Sequence, residues 1–260
     1  MPDARQVAYL HALGVDVYVP RDAAGALVAD AAPDAESVRA DSPRPLPQVV
    51  DQAFDAPIAD DTGRYGWEEL RAAVVACRRC ELHQTRTQTV FGVGNPRARW
   101  MFIGEAPGQE EDRQGEPFVG RAGQLLNAMI RALGMRREDV FIANILKCRP
   151  PGNRDPKPAE AASCRRFLER QVELVAPTLV IAVGRIAAQD LLATETPIAK
   201  LRGKVHSFGA KSWPLVVTYH PAYLLRSPGE KRKAWQDLLH ARQLFTRLER
   251  ERERAEAGPA

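Results

Sequence analysis

From residue 65 onward, short continuous apolar runs alternate with stretches in which apolar residues recur every third or fourth position. The second pattern predicts helices at Trp67–Ala76, Ala122–Leu133, Pro158–Val175 and Ile186–Leu192, with a long last helix from about Lys231. The first predicts strands at Trp100–Ile103, Val140–Ile145, Leu179–Val183 and Leu215–Thr218. Strands and helices take turns, which is the order of a parallel sheet covered on both faces. The expected fold is therefore α/β, a three-layer α/β/α arrangement around a central four-stranded parallel sheet.

Residues 1–64 lack this order. Residues 4–13 carry one short amphipathic stretch, closed by Gly14 and followed by the strand-like VDVYVP, so 1–21 reads as a short segment of unknown role. The region 22–64 is rich in Ala, Asp and Pro and has no period, the composition of a disordered linker that cannot bury enough apolar surface to order itself. A domain at 65–250 and a charged tail at 251–260 complete the expected organisation. Charge follows the same division. Residues 1–64 hold 11 Asp and Glu against 5 Arg, which leaves 32 Lys and Arg against 22 Asp and Glu for the remainder. A basic domain suits a polyanion such as nucleic acid, and a solvated basic surface gives the same count. No apolar run is long enough to span a membrane. Met1–Leu13 lacks a basic head followed by an apolar core, so a reducing, cytoplasmic location is expected.

In an open parallel sheet, ligands bind outside the carboxyl ends of the strands. Each predicted strand here ends in glycine or polar residues. Gly104-Glu105-Ala106-Pro107-Gly108 follows the first, Asn144 stands at the end of the second, Gly184-Arg185 follows the third, and Tyr219-His220-Pro221 follows the fourth. Taken singly, such a turn or histidine is commonly structural. Four of them at one edge point to an active site.

The chain has four cysteines: Cys77-x2-Cys80, then 67 intervening residues, then Cys148 and Cys164 separated by 15. Four thiolates suit zinc or an iron–sulfur cluster. The wide second spacing, crowded by Pro150, Pro151, Pro156 and Pro158, is not that of a zinc knuckle, and a cluster joining distant segments fits better. The alternatives are four unrelated buried thiols or two disulfides, the latter disfavoured in a reducing compartment.

Three stretches, GEAPGQEEDRQGEPFVGRAGQLL, NILKCRPPGNRDPKP and HPAYLLR, stand in an order and with flanking cysteines that closely resemble the iron–sulfur, family 4 uracil-DNA glycosylases. The likeness covers about residues 65–245 and none of 1–64. It implies the uracil-DNA glycosylase fold and a repair enzyme that flips uracil out of DNA and hydrolyses its N-glycosidic bond. It further implies a [4Fe-4S] cluster on Cys77, Cys80, Cys148 and Cys164. Phe118 matches the aromatic that stacks on uracil, and Asn144 the amide that donates to O4 and accepts from N3–H, a pairing that cytosine would invert. His220 matches the histidine that stabilises charge on uracil O2, aided by backbone N–H groups of the turn formed by Gly104, Ala106, Pro107 and Gly108. Where family 1 enzymes place an aspartate, this chain has Ala106, so Glu105 or Glu111 is expected to orient water or the sugar cation. Glu111 is also expected to close the pocket against the thymine methyl; the other reading of Gln109–Asp112 is a solvated loop start. Arg149, Arg154 and Arg226 are expected to face DNA phosphates. A related subclass that traps its product carries a histidine in an inserted loop; Cys148–Cys164 has none, so hydrolysis is expected. Uracil-containing DNA is the expected partner, with downstream repair proteins as further contacts, and the protein is expected to act as a monomer without a membrane.

Two other classes share parts of this pattern. A non-catalytic iron–sulfur DNA-binding module would need the cysteines and basic charge but neither Asn144 nor His220. A nucleotide phosphohydrolase could use the glycine turn as a phosphate cradle, but would want a P-loop lysine or a carboxylate set for metal, and the turn holds no Lys.

Overall fold

A computed structural model of the chain describes residues 62–257; the expectations for 1–61 lie outside the described residues. In chain order the principal elements are α1 (Trp67–Val75), β1 (Val93–Gly94), β2 (Trp100–Gly104), α2 (Gln109–Gln114), α3 (Arg121–Ala132), β3 (Phe141–Asn144), α4 (Pro158–Val175) and β4 (Leu179–Val183). They continue with α5 (Arg185–Leu191), α6 (Ile198–Leu201), β5 (Val205–Phe208), β6 (Trp213–Thr218), α7 (Pro221–Arg226) and α8 (Lys231–Ala257). The last helix thus runs on into the stretch read as a charged tail.

The strands form one sheet in the order β1-β3-β2-β4-β6-β5. Its centre, β3-β2-β4-β6, is parallel as expected, and short antiparallel strands are added at both edges. Neither edge strand has a readable signal in the sequence. β1 is two residues long, and β5 exposes Val205 and pairs on one side only.

The central strands are buried on both faces because their alternate residues feed two separate cores. Met101 and Ile103, with Val180 and Ala182, face α1, α4 and α5. Trp100 and Phe102, with Leu179, Ile181 and Val183, face α3 and α8. Burying each such side chain contributes about 1.5–3 kcal/mol, so a one-residue slip of β2 would exchange the two cores at large cost. Helix α4 shows the local logic. Pro158 opens it, Glu160 accepts the Lys157 N–H at 2.8 Å, and Ala161, Cys164, Leu168, Gln171, Val172 and Val175 make its buried stripe. Ala176, left-handed at φ 47°, ends it.

Strand register then aligns the ends. Gly104 lies beside Asn144, and Val183 beside Thr218. The chain moves from β2 to β3 on one side and returns to β4 on the other, so the strand order reverses around β2, where ligand crevices open. Among the described residues no helix is long and apolar enough to cross a membrane.

Candidate active site

A cleft of about 730 Å³ opens at the carboxyl ends of the parallel strands. Glu105, Ala106, Pro107 and Gly108 line it from the turn after β2, Asn144 from β3, Gly184 and Arg185 from the start of α5, and Tyr219 and His220 from the end of β6. Phe118 and Glu111 close it from the segment between β2 and α3, and Tyr223 and Arg226 from α7.

Glycines make the room. A Cβ on Gly104 would sit 2.5 Å from Asn144 Oδ1 and 2.6 Å from Phe118 Cζ, so the amide and the ring meet over a floor that only glycine leaves open. Gly184, at φ +100°, brings the start of α5 so near that a Cβ there would lie 2.8 Å from His220 Cβ. The rings of Phe118 and His220 are 5.6 Å apart and tilted by 32°. Three side chains from three elements therefore border one small volume.

Their polar atoms are prepared for a ligand. Asn144 is 2 % exposed, and its Oδ1 is buried without a hydrogen-bond partner. An orphan acceptor of that kind costs about 1–3 kcal/mol and needs a reason. His220 caps α7: its Nδ1 accepts the Ala222 N–H at 3.1 Å. Burial in the cleft wall, reinforced by the positive charge of Arg226 and opposed by Glu111, lowers its pKa to about 4. The imidazole is thus neutral near pH 7, and since Nδ1 is an acceptor its proton sits on Nε2. Burial, with Asp155 adding and Arg185 opposing, raises Glu105 to about 7.

Glu111 lies in the cleft wall, but not as a free carboxylate. It belongs to helix α2, not to a solvated loop, and its Oε1 accepts the N–H groups of Val119 and Gly120 at 2.9 and 3.1 Å. The neighbouring Asp112 is buried and accepts the Thr87 N–H. Of the expected phosphate contacts, Arg226 stands exposed at the rim with no ion-pair partner among the described residues. Arg154 also lines the cleft but holds Glu160 through two nitrogens, at 2.9 and 2.6 Å, and Arg149 donates to Asn153 at 2.7 Å.

All four cysteines border a second, tight cavity, together with Arg79, His83, Arg86, Lys147 and Phe167. None is in a disulfide. Arg86 donates to Cys148 Sγ at 3.0 Å, and the Lys147 N–H to Cys164 Sγ at 3.3 Å. Burial raises the thiol pKa of Cys80 and Cys148 and lifts Cys164 to about 12. Among the described residues no group of three or more His, Cys, Asp or Glu side chains is arranged to hold a metal ion. The two cavities share one connector: the Lys147 side chain, 1 % exposed, donates to the Asn144 carbonyl at 2.8 Å and to Gln171 Oε1 at 2.6 Å.

The model of the uracil DNA glycosylase superfamily matches residues 91–239, more than half of the chain. The chain belongs to that superfamily. Among curated relatives, it is 46% identical over 167 residues to the type-4 uracil-DNA glycosylase of Archaeoglobus fulgidus, covering 62% of this chain and 84% of the relative. The type-4 uracil-DNA glycosylase of Thermotoga maritima is also 46% identical, over 62% of this chain and 83% of its own length. That of Sulfurisphaera tokodaii is 40% identical over 68% and 84%. A uracil-DNA glycosylase superfamily fold accounts for the four-stranded parallel centre and for the cleft position.

Within this superfamily member, the structure gathers Glu105, Ala106, Pro107, Gly108, Glu111, Phe118, Asn144, His220, Arg154 and Arg226 at one cleft, with Gly104 behind Asn144 and Phe118, whereas Arg149 does not line it. Tyr219, in the segment expected after the fourth strand, packs its ring 5.0 Å from Tyr223 on the same wall; sequence reasoning missed Tyr223 and Asp155, which pairs with Arg185 at 2.7 Å. Tyr223 could have been found from its place one helical turn after His220. Asp155 gives no signal, because its role depends on contact with Arg185, 30 residues away.

Proposed function

We infer that this chain is a uracil-DNA glycosylase that removes uracil from DNA and leaves an abasic site, acting in repair. The observation that carries the reading is the buried, unpartnered Asn144 Oδ1 beside Phe118 and a neutral His220, in a cleft of this superfamily. A base flipped into the cleft stacks on Phe118. The Asn144 amide accepts N3–H and donates to O4, which relieves the orphan acceptor only when the base is uracil-like.

Cleavage of the C1′–N1 bond leaves its electron pair on uracil, with charge spread to O2, and leaves an oxocarbenium-like sugar. His220 Nε2–H donates to O2. A neutral donor suits this task because its Nε2–H stabilises the anion through a hydrogen bond without transferring the proton. Glu105, ionised above about pH 7, accepts the proton from the water that adds to C1′, and the uracil anion takes up a proton on release. Glu111 orders the Phe118 segment through Val119 and Gly120. Arg226, exposed at the cleft rim, supplies positive charge for the DNA backbone.

The cysteine cavity is proposed to hold a [4Fe-4S] cluster. Four thiols outside any disulfide, drawn from three segments around one void, two of them receiving N–H donors from Arg86 and Lys147, have the donor chemistry of such a group. Burial holds the Cys80, Cys148 and Cys164 thiols toward the protonated form, so a bound metal would supply the positive charge that favours their thiolates. When bound, the cluster would tie α1 to the proline-rich loop and α4. The reaction uses none of it.

Incubation with a uracil-containing oligonucleotide, followed by measurement of free uracil and of alkali-labile strand breaks, tests the reading. Release by the parent protein and its loss in Asn144→Ala is the expected result. DNA binding without release would favour a non-catalytic module and overturn it.

A further inference from the structure

Phe118 has a left-handed backbone, φ +54°, which is costly for an aromatic residue without a glycine's freedom. The surrounding chain enforces it from two sides. Arg137, in a short 3-10 turn between α3 and β3, donates through Nη2 to the Pro117 carbonyl at 2.6 Å. Its Nη1 reaches the Phe118 carbonyl at 3.4 Å and Asn127 Oδ1, on α3, at 3.0 Å. On the other side Glu111 takes the N–H groups of Val119 and Gly120. Two opposite charges thus grip consecutive peptide groups around one strained residue. Gly123 lets the turn come close, since a Cβ there would lie 1.8 Å from the Phe118 oxygen. With the carbonyl turned back to Arg137, the ring is turned forward onto the Gly104 floor.

We propose that Arg137 is a positioning residue for uracil excision: it holds the peptide of Phe118 in the left-handed state that presents the ring to the base. Arg137 does not line the cleft, so it acts only through Phe118. The inference rests on Phe118 being the stacking surface of the proposed reaction. Without the clamp, the segment relaxes between turnovers, and ordering it is subtracted from base binding each time. The loss then falls on the base and not on the DNA backbone.

A double-mutant cycle tests this, using Arg137→Ala, Phe118→Ala and the pair in the full-length protein. Arg137→Ala should lower single-turnover excision about tenfold and weaken inhibition by free uracil by a similar factor. Affinity for DNA carrying an abasic site should stay unchanged. In the pair, Phe118→Ala should cost far less than it does alone, because the ring is already misplaced. Arg137→Lys, which keeps one donor, should recover part of the rate. If Arg137→Ala fails to fold, as thermal melting would reveal, the cycle is run with Arg137→Lys and Arg137→Gln. Multiplying effects, or an unchanged free-uracil inhibition constant, would overturn the clamp while parent excision still stood. Absence of excision by the parent would instead overturn the functional reading.

Discussion

Two sites hang from the end of β3, four residues apart at Asn144 and Cys148, and they are assembled in opposite ways. The cleft is finished before any ligand arrives. Glycines hold it open, His220 has its tautomer fixed, and Asn144 keeps an acceptor free at a cost in stability. The cysteine cavity is the reverse, because burial pushes Cys80, Cys148 and Cys164 toward the protonated state, which a bound metal would have to overcome. Catalytic groups need preorganisation and so are placed by short, rigid strand ends. Structural ligands can come from distant segments, since binding itself brings the energy that joins them.

The comparison breaks most sharply at Asn144. Asn144→Ala should lower single-turnover excision by on the order of 10³, with DNA affinity nearly constant and no loss of melting temperature, since it removes the orphan acceptor; a parent-like rate would remove the pocket assignment. His220→Ala follows, with a loss of about 10²–10³. 5-Fluorouracil, a better leaving group, should rescue that variant more than it speeds the parent, and equal acceleration would mean that His220 positions DNA or water. The pH profile separates the two cleft acids. His220 is neutral above about 4 and adds no limb near neutrality, whereas the rate should rise as pH passes upward through about 7 and Glu105 ionises. Glu105→Gln should abolish that limb together with most activity.

Cys148→Ser should act on the other site. Iron content and the visible absorption band should fall, and the melting temperature should drop by on the order of 10 °C. A colourless parent that contains one zinc would replace the cluster without touching the cleft. Gly184→Ala sharpens the boundary: strain at φ +100° costs about 1–3 kcal/mol, and the contact with His220 should lower the rate severalfold while iron content stays full. Smallest of all, removal of residues 1–61 should change excision by less than about twofold. Loss of activity or colour in that fragment would assign the segment a docking role.

Much of this was legible in the sequence because it is written in local patterns. β2 and β4 are continuous apolar runs bounded by glycine, and α4 carries its proline start and its periodic stripe in order. The cleft residues could be placed because strand ends in a parallel sheet meet at one edge. What escaped was set by tertiary contact. Arg137 looks like one more surface charge beside Arg136, and nothing near it in sequence announces Phe118, 19 residues back. Lys147 is one residue in a cysteine motif until the fold buries it against Gln171. Arg154 read as a free cation, yet Glu160 in the first turn of α4 engages it. The edge strands were missed because pairing on a single side demands little of the side chains.

The uncharged state of His220 also governs what the cleft ignores. A DNA-binding surface is surrounded by phosphate, on the substrate itself and on free nucleotides, and a cationic imidazole at the cleft wall would hold such anions by charge alone. A neutral ring offers one directed hydrogen instead, so at the wall beside Phe118 His220 adds no charge for phosphate to seek, and that attraction is left to the arginines such as Arg226. The same neutrality lets the product go. In the proposed reaction the departing uracil anion forms no ion pair with His220, and once protonated it is held there by one hydrogen bond at most, so the cleft empties for the next lesion.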